Sequence, residues 1–160
     1  MSTRAVYTFI DTYRSYHVYK HHDGYPSGAL EFIARAQVHA WPLPRFEADE
    51  IACAFISANK SEAGGMRLTD SYKSHGDLEY RYEIRGLSRT LSINVYSVRG
   101  FDIQECKLIA SGTLEELCLR FKVNLKNVIN FKLEHDKAKE LELQEIEDFY
   151  SKAKLRAVNN

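Results

Sequence analysis

Segment 78–85 alternates strictly between apolar and charged side chains, and this pattern constrains the fold more than any other in the chain. The apolar side chains share one side of the extended segment: Leu78, Tyr80, Tyr82 and Ile84. The charged side chains share the other side: Glu79, Arg81, Glu83 and Arg85. A period of two residues is typical of an antiparallel strand with one buried face and one solvated face. The segment therefore predicts a sheet that other elements cover on one side.

The other elements occur in runs of strands and runs of helices. Strands are also predicted at 4–10, 16–20, 66–69, 91–98 and 105–110, from β-branched and aromatic residues between turn residues. Helices are predicted to begin near Ser27, Phe46, Thr113 and Asn124. Strict alternation of strands and helices is absent. The order predicts an α+β fold, with a mostly antiparallel sheet of about five to six strands, helices packed on one face and a helical C-terminus.

Two helix starts carry specific capping predictions. Ser27 is expected to be the N-cap of the first helix, which carries apolar side chains from Leu30 to Trp41. Thr113 and Glu116 match a capping box, in which each side chain satisfies a backbone amide of the other residue.

From His135 onward the chain is highly charged but still carries apolar residues at helical spacing. We therefore expect one domain over 1–160, with a core of about 1–133 and a charged helix of about 134–157.

Composition narrows the classes of function. The chain has 22 basic and 22 acidic side chains, so its net charge does not favour nucleic acid as a partner, although a local basic face could still bind it. No apolar run reaches about 18 residues, and the first residues do not resemble a secretory signal, so no membrane association is expected. The three cysteines, Cys53, Cys106 and Cys118, have no metal-binding or redox spacing. These features predict a reduced, cytoplasmic setting.

The turn at 19–28 concentrates ionisable and aromatic side chains between a strand and a helix, which is a favourable place for a binding site. A second polar stretch, 75–79, precedes the alternating strand. If the two strands are neighbours, both clusters lie at one end of the sheet. The candidate ligand-binding residues are Arg4, His21, His22, Asp23, Tyr25, His75, Asp77 and Glu79. No catalytic residue is assigned.

Three groups of residues each have a functional interpretation and an alternative structural one. Imidazoles and carboxylates could hold a divalent metal, but Asp23 and Asp77 also suit turns in which they bind the backbone. The charged side of segment 78–85 could be a polar binding surface or a solvated face with cross-strand ion pairs. Aromatic rings edged by Arg4 and Lys20 could stack on bases, or they could be core and rim residues. That aromatic set is Tyr7, Tyr19, Tyr25, Tyr80, Tyr82 and Tyr96.

Three short motifs resemble a family of uncharacterised prokaryotic and phage-encoded proteins. They are STRA at 2–5, YKHHDGYP at 19–26 and HGDLEYRYEI at 75–84. The matching residues are Arg4, His21, Asp23, Gly24, Tyr25 and Pro26. His22 stands where such relatives often have Trp, so an aromatic platform is lost and a second imidazole is gained. The resemblance implies a bacterial or phage cytoplasmic protein linked to mobile elements, and it carries no catalytic role.

The favoured hypothesis is a binding or accessory module for a nucleotide, a nucleic acid or a partner protein, without a cofactor. One alternative is a small metal-dependent phosphoester hydrolase. In it Asp23, Asp77 and Glu79 would hold a divalent metal, and His21 or His75 would transfer a proton. Another alternative is a structural homo-oligomer joined through a sheet edge or the C-terminal helix.

Overall fold

A computed structural model of the chain describes residues 2–60, 65–98 and 106–158. Its centre is a six-stranded sheet in the order β3-β2-β1-β4-β5-β6. The strands are β1 (Ala5–Ile10), β2 (Ser15–Lys20), β3 (Met66–Thr69), β4 (Tyr80–Leu87), β5 (Thr90–Val98) and β6 (Cys106–Thr113). Among these described strands β1 and β4 pair in parallel, and the other four pairings are antiparallel. The predicted α+β fold with a mostly antiparallel sheet is confirmed.

The helices are α1 (Pro26–His39), α2 (Ala48–Asn59), α3 (Leu114–Arg120) and α4 (Leu125–Val158), and a 3-10 turn spans Tyr72–Ser74. The predicted capping box at Thr113 is present and begins α3. The predicted N-cap at Ser27 is wrong, because Tyr25 is the N-cap and Pro26 is the first helical residue. Proline suits that position since its φ is already helical and its missing N–H has no partner there in any case.

The two faces of the sheet carry different residues. On one face, which we call the helical face, the Phe55 ring of α2 lies 4.5 Å from Tyr7 and 5.3 Å from Phe9, centroid to centroid. Tyr82 and Ile84 of β4 pair with these two residues of β1 and are fully buried beside them. This face contains the main core of residues 2–125, as the alternation in segment 78–85 predicts.

The other face, which we call the open face, has a smaller apolar cluster. Val6, Tyr19, Leu78 and Val98 pack together there, with Tyr72 against them. Leu78 was predicted to share a face with Tyr82, and that prediction is wrong. The strand begins only at Tyr80, because the amides of residues 79 and 80 both donate to the carbonyl of Arg4 and interrupt the extended repeat before it.

The chain divides into two units, residues 1–125 and 126–160. The first contains the sheet and α1 to α3. The second consists of the long charged helix α4, on which several large apolar side chains between Ile129 and Phe149 are exposed. Among the described residues, no helix combines the length and the apolar character needed to cross a membrane.

Candidate functional site

The two predicted polar clusters meet at one end of the sheet. Arg4 precedes β1, His21 follows β2, and Asp77 precedes β4. Because β1 is antiparallel to β2 and parallel to β4, these three positions lie at the same end. The Arg4 guanidinium joins them: its Nε donates to His21 Nδ1 at 3.4 Å, and its Nη1 lies 2.9 Å from Asp77 Oδ2.

Tyr19 connects this group to two more side chains. Its hydroxyl lies 2.8 Å from His21 Nδ1, and its ring stacks on His75 with centroids 4.2 Å apart. The Arg67 guanidinium lies 4.9 Å from the centre of the same ring, because Arg67 pairs with Tyr19 across β2 and β3. We call the resulting set the polar cluster: Arg4, Tyr19, His21, Arg67, His75 and Asp77.

The hydrogen-bond partners of His21 determine which ring nitrogen carries the proton in its neutral form. Arginine can only donate a hydrogen bond, so Nδ1 of His21 must be the acceptor and the neutral ring carries its proton on Nε2. Partial burial and then the positive charge of Arg4 lower the pKa of His21. Burial followed by the charge of Arg67 likewise lowers the pKa of His75, against the opposing effect of Asp77. The cluster therefore favours neutral imidazoles at physiological pH.

The turn that carries the distinctive DGYP residues is anchored to the core beneath it. The Gly24 amide donates to the Thr3 carbonyl at 2.8 Å, and the Tyr82 hydroxyl donates to the Gly24 carbonyl at 2.7 Å. A Cβ on Gly24 would lie 2.6 Å from the Cβ of Ala5, so only glycine fits. Asp23 adopts a left-handed φ of 56°, which aspartate tolerates better than most residues. The turn is thus a rigid support for the polar cluster.

The remaining predicted site residues lie at the margin. His22 is exposed and meets His21 edge to face at 4.6 Å, and the Tyr25 ring is exposed beside Gly28. Glu79 contributes its backbone, since its carbonyl accepts from the Val98 amide. Four of the eight predicted residues therefore come together: Arg4, His21, His75 and Asp77. Of the other four, His22 touches this group from outside through the His21 ring, and Asp23, Tyr25 and Glu79 do not join it.

A groove of about 550 Å³ adjoins the polar cluster along β2 and β3, and we call it the β2–β3 groove. Its lining residues are Ser15, Tyr16, His17, Arg67, Leu68, Thr69, Asp70, Ser74 and His75. His17 Nδ1 lies 2.9 Å from the Thr8 hydroxyl, and His75 Nε2 lies 2.9 Å from the Thr69 hydroxyl. Burial, and then the charge of Arg81, lower the pKa of His17.

Sequence reasoning missed His17 and Arg67 as site residues. His17 alternates with Val18 along β2, so the pattern does place it on the face opposite the main core. Arg67 pairs with Tyr19 across two strands that 45 residues separate in the sequence, counted from Lys20 to Met66. The register of β2 with β3 depends on tertiary structure, and no local sequence pattern predicts that Arg67 lies opposite Tyr19.

Two of the six tyrosines belong to the core, which is one of the two interpretations that the sequence left open. Tyr7 and Tyr82 are fully buried and stack on each other with centroids 5.1 Å apart, so neither can receive a base. Lys20 is buried on the helical face, with its Nζ 4.3 Å from the centre of the Phe32 ring. Because both features belong to the core, the six tyrosines do not form one continuous aromatic surface edged by basic residues.

The charged side of β4 forms ion pairs along its own strand. Glu83 pairs with Arg81 and with Arg85, and it also accepts a hydrogen bond from Tyr96 on β5 at 3.3 Å. The pairs run along one strand rather than across two, because residues two apart on a strand share a face. Arg81 also lies 4.1 Å from the centre of the Tyr72 ring. This surface is therefore largely self-satisfied.

The described residues include no group of three or more His, Cys, Asp or Glu side chains that could hold a metal ion. Asp77, which the hydrolase alternative needs as a ligand, instead pairs with Arg4. Comparisons of the chain with protein-family models, with curated proteins and with solved structures find no match.

Proposed function

We propose that this protein is a binding module and that its ligand is a nucleotide held in the β2–β3 groove beside the polar cluster. One observation carries the proposal: two imidazoles and an arginine line a groove of about 550 Å³. Within the described ranges, no carboxylate pairs with that arginine, Arg67, which is an exposed residue. Ligand pockets typically enclose about 300–1,000 Å³, so the groove is large enough for a mononucleotide.

The lining residues match the parts of a nucleotide. A guanidinium binds phosphate oxygens through two parallel N–H donors, and the hydroxyls of Ser15 and Ser74 add further donors. Tyr16 offers an aromatic side chain, and the Asp70 carboxylate accepts hydrogen bonds from sugar hydroxyls. Contact of Arg67 with the Tyr19 ring orients the guanidinium before any ligand arrives.

The donor set supports binding rather than metal-dependent hydrolysis. Hydrolysis of a phosphoester by a bound divalent ion needs several oxygen ligands converging on one point. Of the three predicted carboxylates, Asp77 is paired with Arg4, while Asp23 and Glu79 lie outside the polar cluster. Binding through arginine, imidazole and hydroxyl groups needs no such convergence and should survive removal of divalent ions.

Calorimetric titration with adenosine 5′-monophosphate in the presence of EDTA tests this proposal. Arg67→Gln removes the guanidinium and should weaken binding at least about tenfold, since charge-assisted hydrogen bonds contribute about 1.5–3 kcal/mol. Arg85→Gln is the matched control, because Arg85 is another exposed arginine of the sheet but does not line the groove. Absence of nucleotide binding to the native protein, or equal losses in the two variants, would refute the proposal.

A cytoplasmic location and an association with phages or mobile elements follow from the sequence resemblance and belong to the same proposal. Native mass spectrometry of the protein purified from a bacterial host tests the ligand independently. A retained mass equal to a nucleotide, lost in Arg67→Gln, supports the proposed function. A defined oligomer that retains no ligand would favour the structural homo-oligomer instead.

A further inference from the structure

We propose that the β2–β3 groove selects a terminal phosphate in its dianionic form and that His17 and His75 take up protons as this phosphate binds. The inference rests on the proposed function and specifies both the ligand class and the regulation of that site. It would make the protein a sensor of phosphomonoesters, with an affinity that depends on pH.

The hydrogen bonds around His75 determine where its added proton goes. The Thr69 hydroxyl donates its hydrogen to the Ser71 carbonyl at 3.2 Å, so its oxygen must accept from His75 Nε2. The neutral ring of His75 therefore carries hydrogen on Nε2 and a bare lone pair on Nδ1. A phosphate oxygen beside that lone pair would be repelled, whereas a proton on Nδ1 turns the repulsion into a charge-assisted hydrogen bond.

His17, on β2, is also held by a threonine hydroxyl. Its Nδ1 contacts the Thr8 hydroxyl, and Thr8 is buried in the sheet, so this ring nitrogen already has its partner inside the protein. A protonated ring would donate through both nitrogens: Nδ1 to the threonine oxygen and Nε2 to an incoming anion. Both imidazoles thus keep one partner in either charge state and leave one nitrogen for the ligand.

Burial first, and then the charges around the two rings, lower the pKa of both imidazoles and favour their neutral forms in the free protein. Arg81 from β4 faces His17, and Arg67 from β3 faces His75, so each imidazolium would lie beside a cation. Asp77 opposes this effect at His75, but it is already paired with Arg4. Two other carboxylates lie near the rings: Asp70 lines the same groove, and Glu83 pairs with Arg81.

A bound dianion reverses this balance, because opposite charge within about 4–6 Å favours the protonated ring. By linkage, each proton taken up on binding weakens the affinity about tenfold for every pH unit above the pKa of the free ring. A phosphomonoester has its second pKa near 6, so it loses the dianionic form below about pH 6. A phosphodiester keeps one charge at every pH in this range. We therefore expect the tightest binding of a monoester near pH 6.5.

The test is calorimetric titration with adenosine 5′-monophosphate from pH 6 to 8.5, in two buffers of different ionisation enthalpy, which counts the protons taken up. We expect the affinity to fall at least about tenfold between pH 6.5 and 8 if one proton is coupled to binding. Cyclic adenosine monophosphate, a phosphodiester, should bind more weakly and with a smaller pH dependence. Sulfate keeps both negative charges over this range, so its competition should show the same slope as the monoester above about pH 7, where the monoester is also a dianion.

Variants assign the protons. His75→Gln and His17→Gln should each flatten the pH profile while leaving some binding at pH 8.5. His39→Gln, on the last turn of α1 and outside the groove, should keep the native slope. Binding with no pH dependence, or a slope that survives in both groove variants, would overturn this inference and leave the proposed function standing. Absence of nucleotide binding at every pH would overturn both.

Discussion

The stacked pair Tyr7 and Tyr82 offers a matched test of the packing that supports the site. Both rings are fully buried and neighbours, yet their hydroxyls differ. The Tyr82 hydroxyl donates to the Gly24 carbonyl at 2.7 Å, whereas the Tyr7 hydroxyl has no hydrogen-bond partner among the described residues. Substitution by phenylalanine removes the same atom from each, so the difference between the two variants isolates the hydrogen bond to the turn.

The expected magnitudes follow from the fate of the partner group. Tyr82→Phe leaves the Gly24 carbonyl buried without its donor, and such an unsatisfied group costs about 1–3 kcal/mol of unfolding free energy. Tyr7→Phe removes a buried hydroxyl that pays a desolvation penalty with no compensating bond. We expect it to be neutral or to raise stability by up to about 1 kcal/mol. The difference between the variants should therefore be about 1–4 kcal/mol, with a central value of about 2 kcal/mol.

Urea unfolding followed by far-ultraviolet circular dichroism measures this difference. With a slope of about 1–3 kcal/mol per molar urea, the midpoint of Tyr82→Phe should lie about 1 M below that of Tyr7→Phe. In the double variant the two changes in unfolding free energy should add, and any departure from their sum measures the coupling between the stacked rings. Equal midpoints for the two single variants, or a lower one for Tyr7→Phe, would refute the reasoning.

Three further outcomes are expected. Gly24→Ala forces a Cβ to within 2.6 Å of Ala5 and should cost at least about 1–3 kcal/mol in the same urea assay; a loss below 0.5 kcal/mol would contradict this. The pKa values of His17 and His75 are lowered in the folded state, so the unfolded chain binds more protons as pH falls below about 6.5. Stability is therefore complete above that pH and declines on acidification, and His17→Asn should reduce the decline in thermal melts between pH 7.5 and 5.5. Thr113→Ala removes the cap of α3 and should cost about 0.5–2 kcal/mol, measured against Thr113→Ser as the control that keeps the hydroxyl.

Local pattern was sufficient for most of the elements. The alternation in segment 78–85 predicts a half-buried strand, and the Thr113 capping box marks the start of α3 to the residue. The local sequence pattern could not predict the parallel pairing of β1 with β4, because that pairing depends on where the chain returns to the sheet after two helices and an edge strand. Since this pairing brings Arg4 beside Asp77, the site was visible in the sequence only as two separate clusters.

The tyrosines show a second limit. Tyr7, Tyr19 and Tyr82 all lie on strands, but their hydroxyls have different surroundings. The Tyr7 hydroxyl has no hydrogen-bond partner among the described residues, the Tyr19 hydroxyl bonds the His21 ring, and the Tyr82 hydroxyl donates to the Gly24 carbonyl. Strand periodicity assigns a face to each ring and says nothing about what its hydroxyl meets. That depends on the turn at Gly24 and on the register of β2 with β3, both of which are tertiary features.

The parallel pairing of β1 with β4 has a consequence for how the protein is made. The β1–β2 hairpin can form as soon as residues 5–20 have left the ribosome, but Arg4 meets Asp77 only after α1, α2 and β3 have been synthesised. Pairings of long sequence separation form late, because the chain must close a large loop first. The parts of the candidate site are therefore assembled by the same step that closes the sheet. A nascent chain that stops before β4 already contains both groove histidines, His17 and His75. It lacks the contact between Arg4 and Asp77 that joins the two clusters, because β1 and β4 have not yet paired.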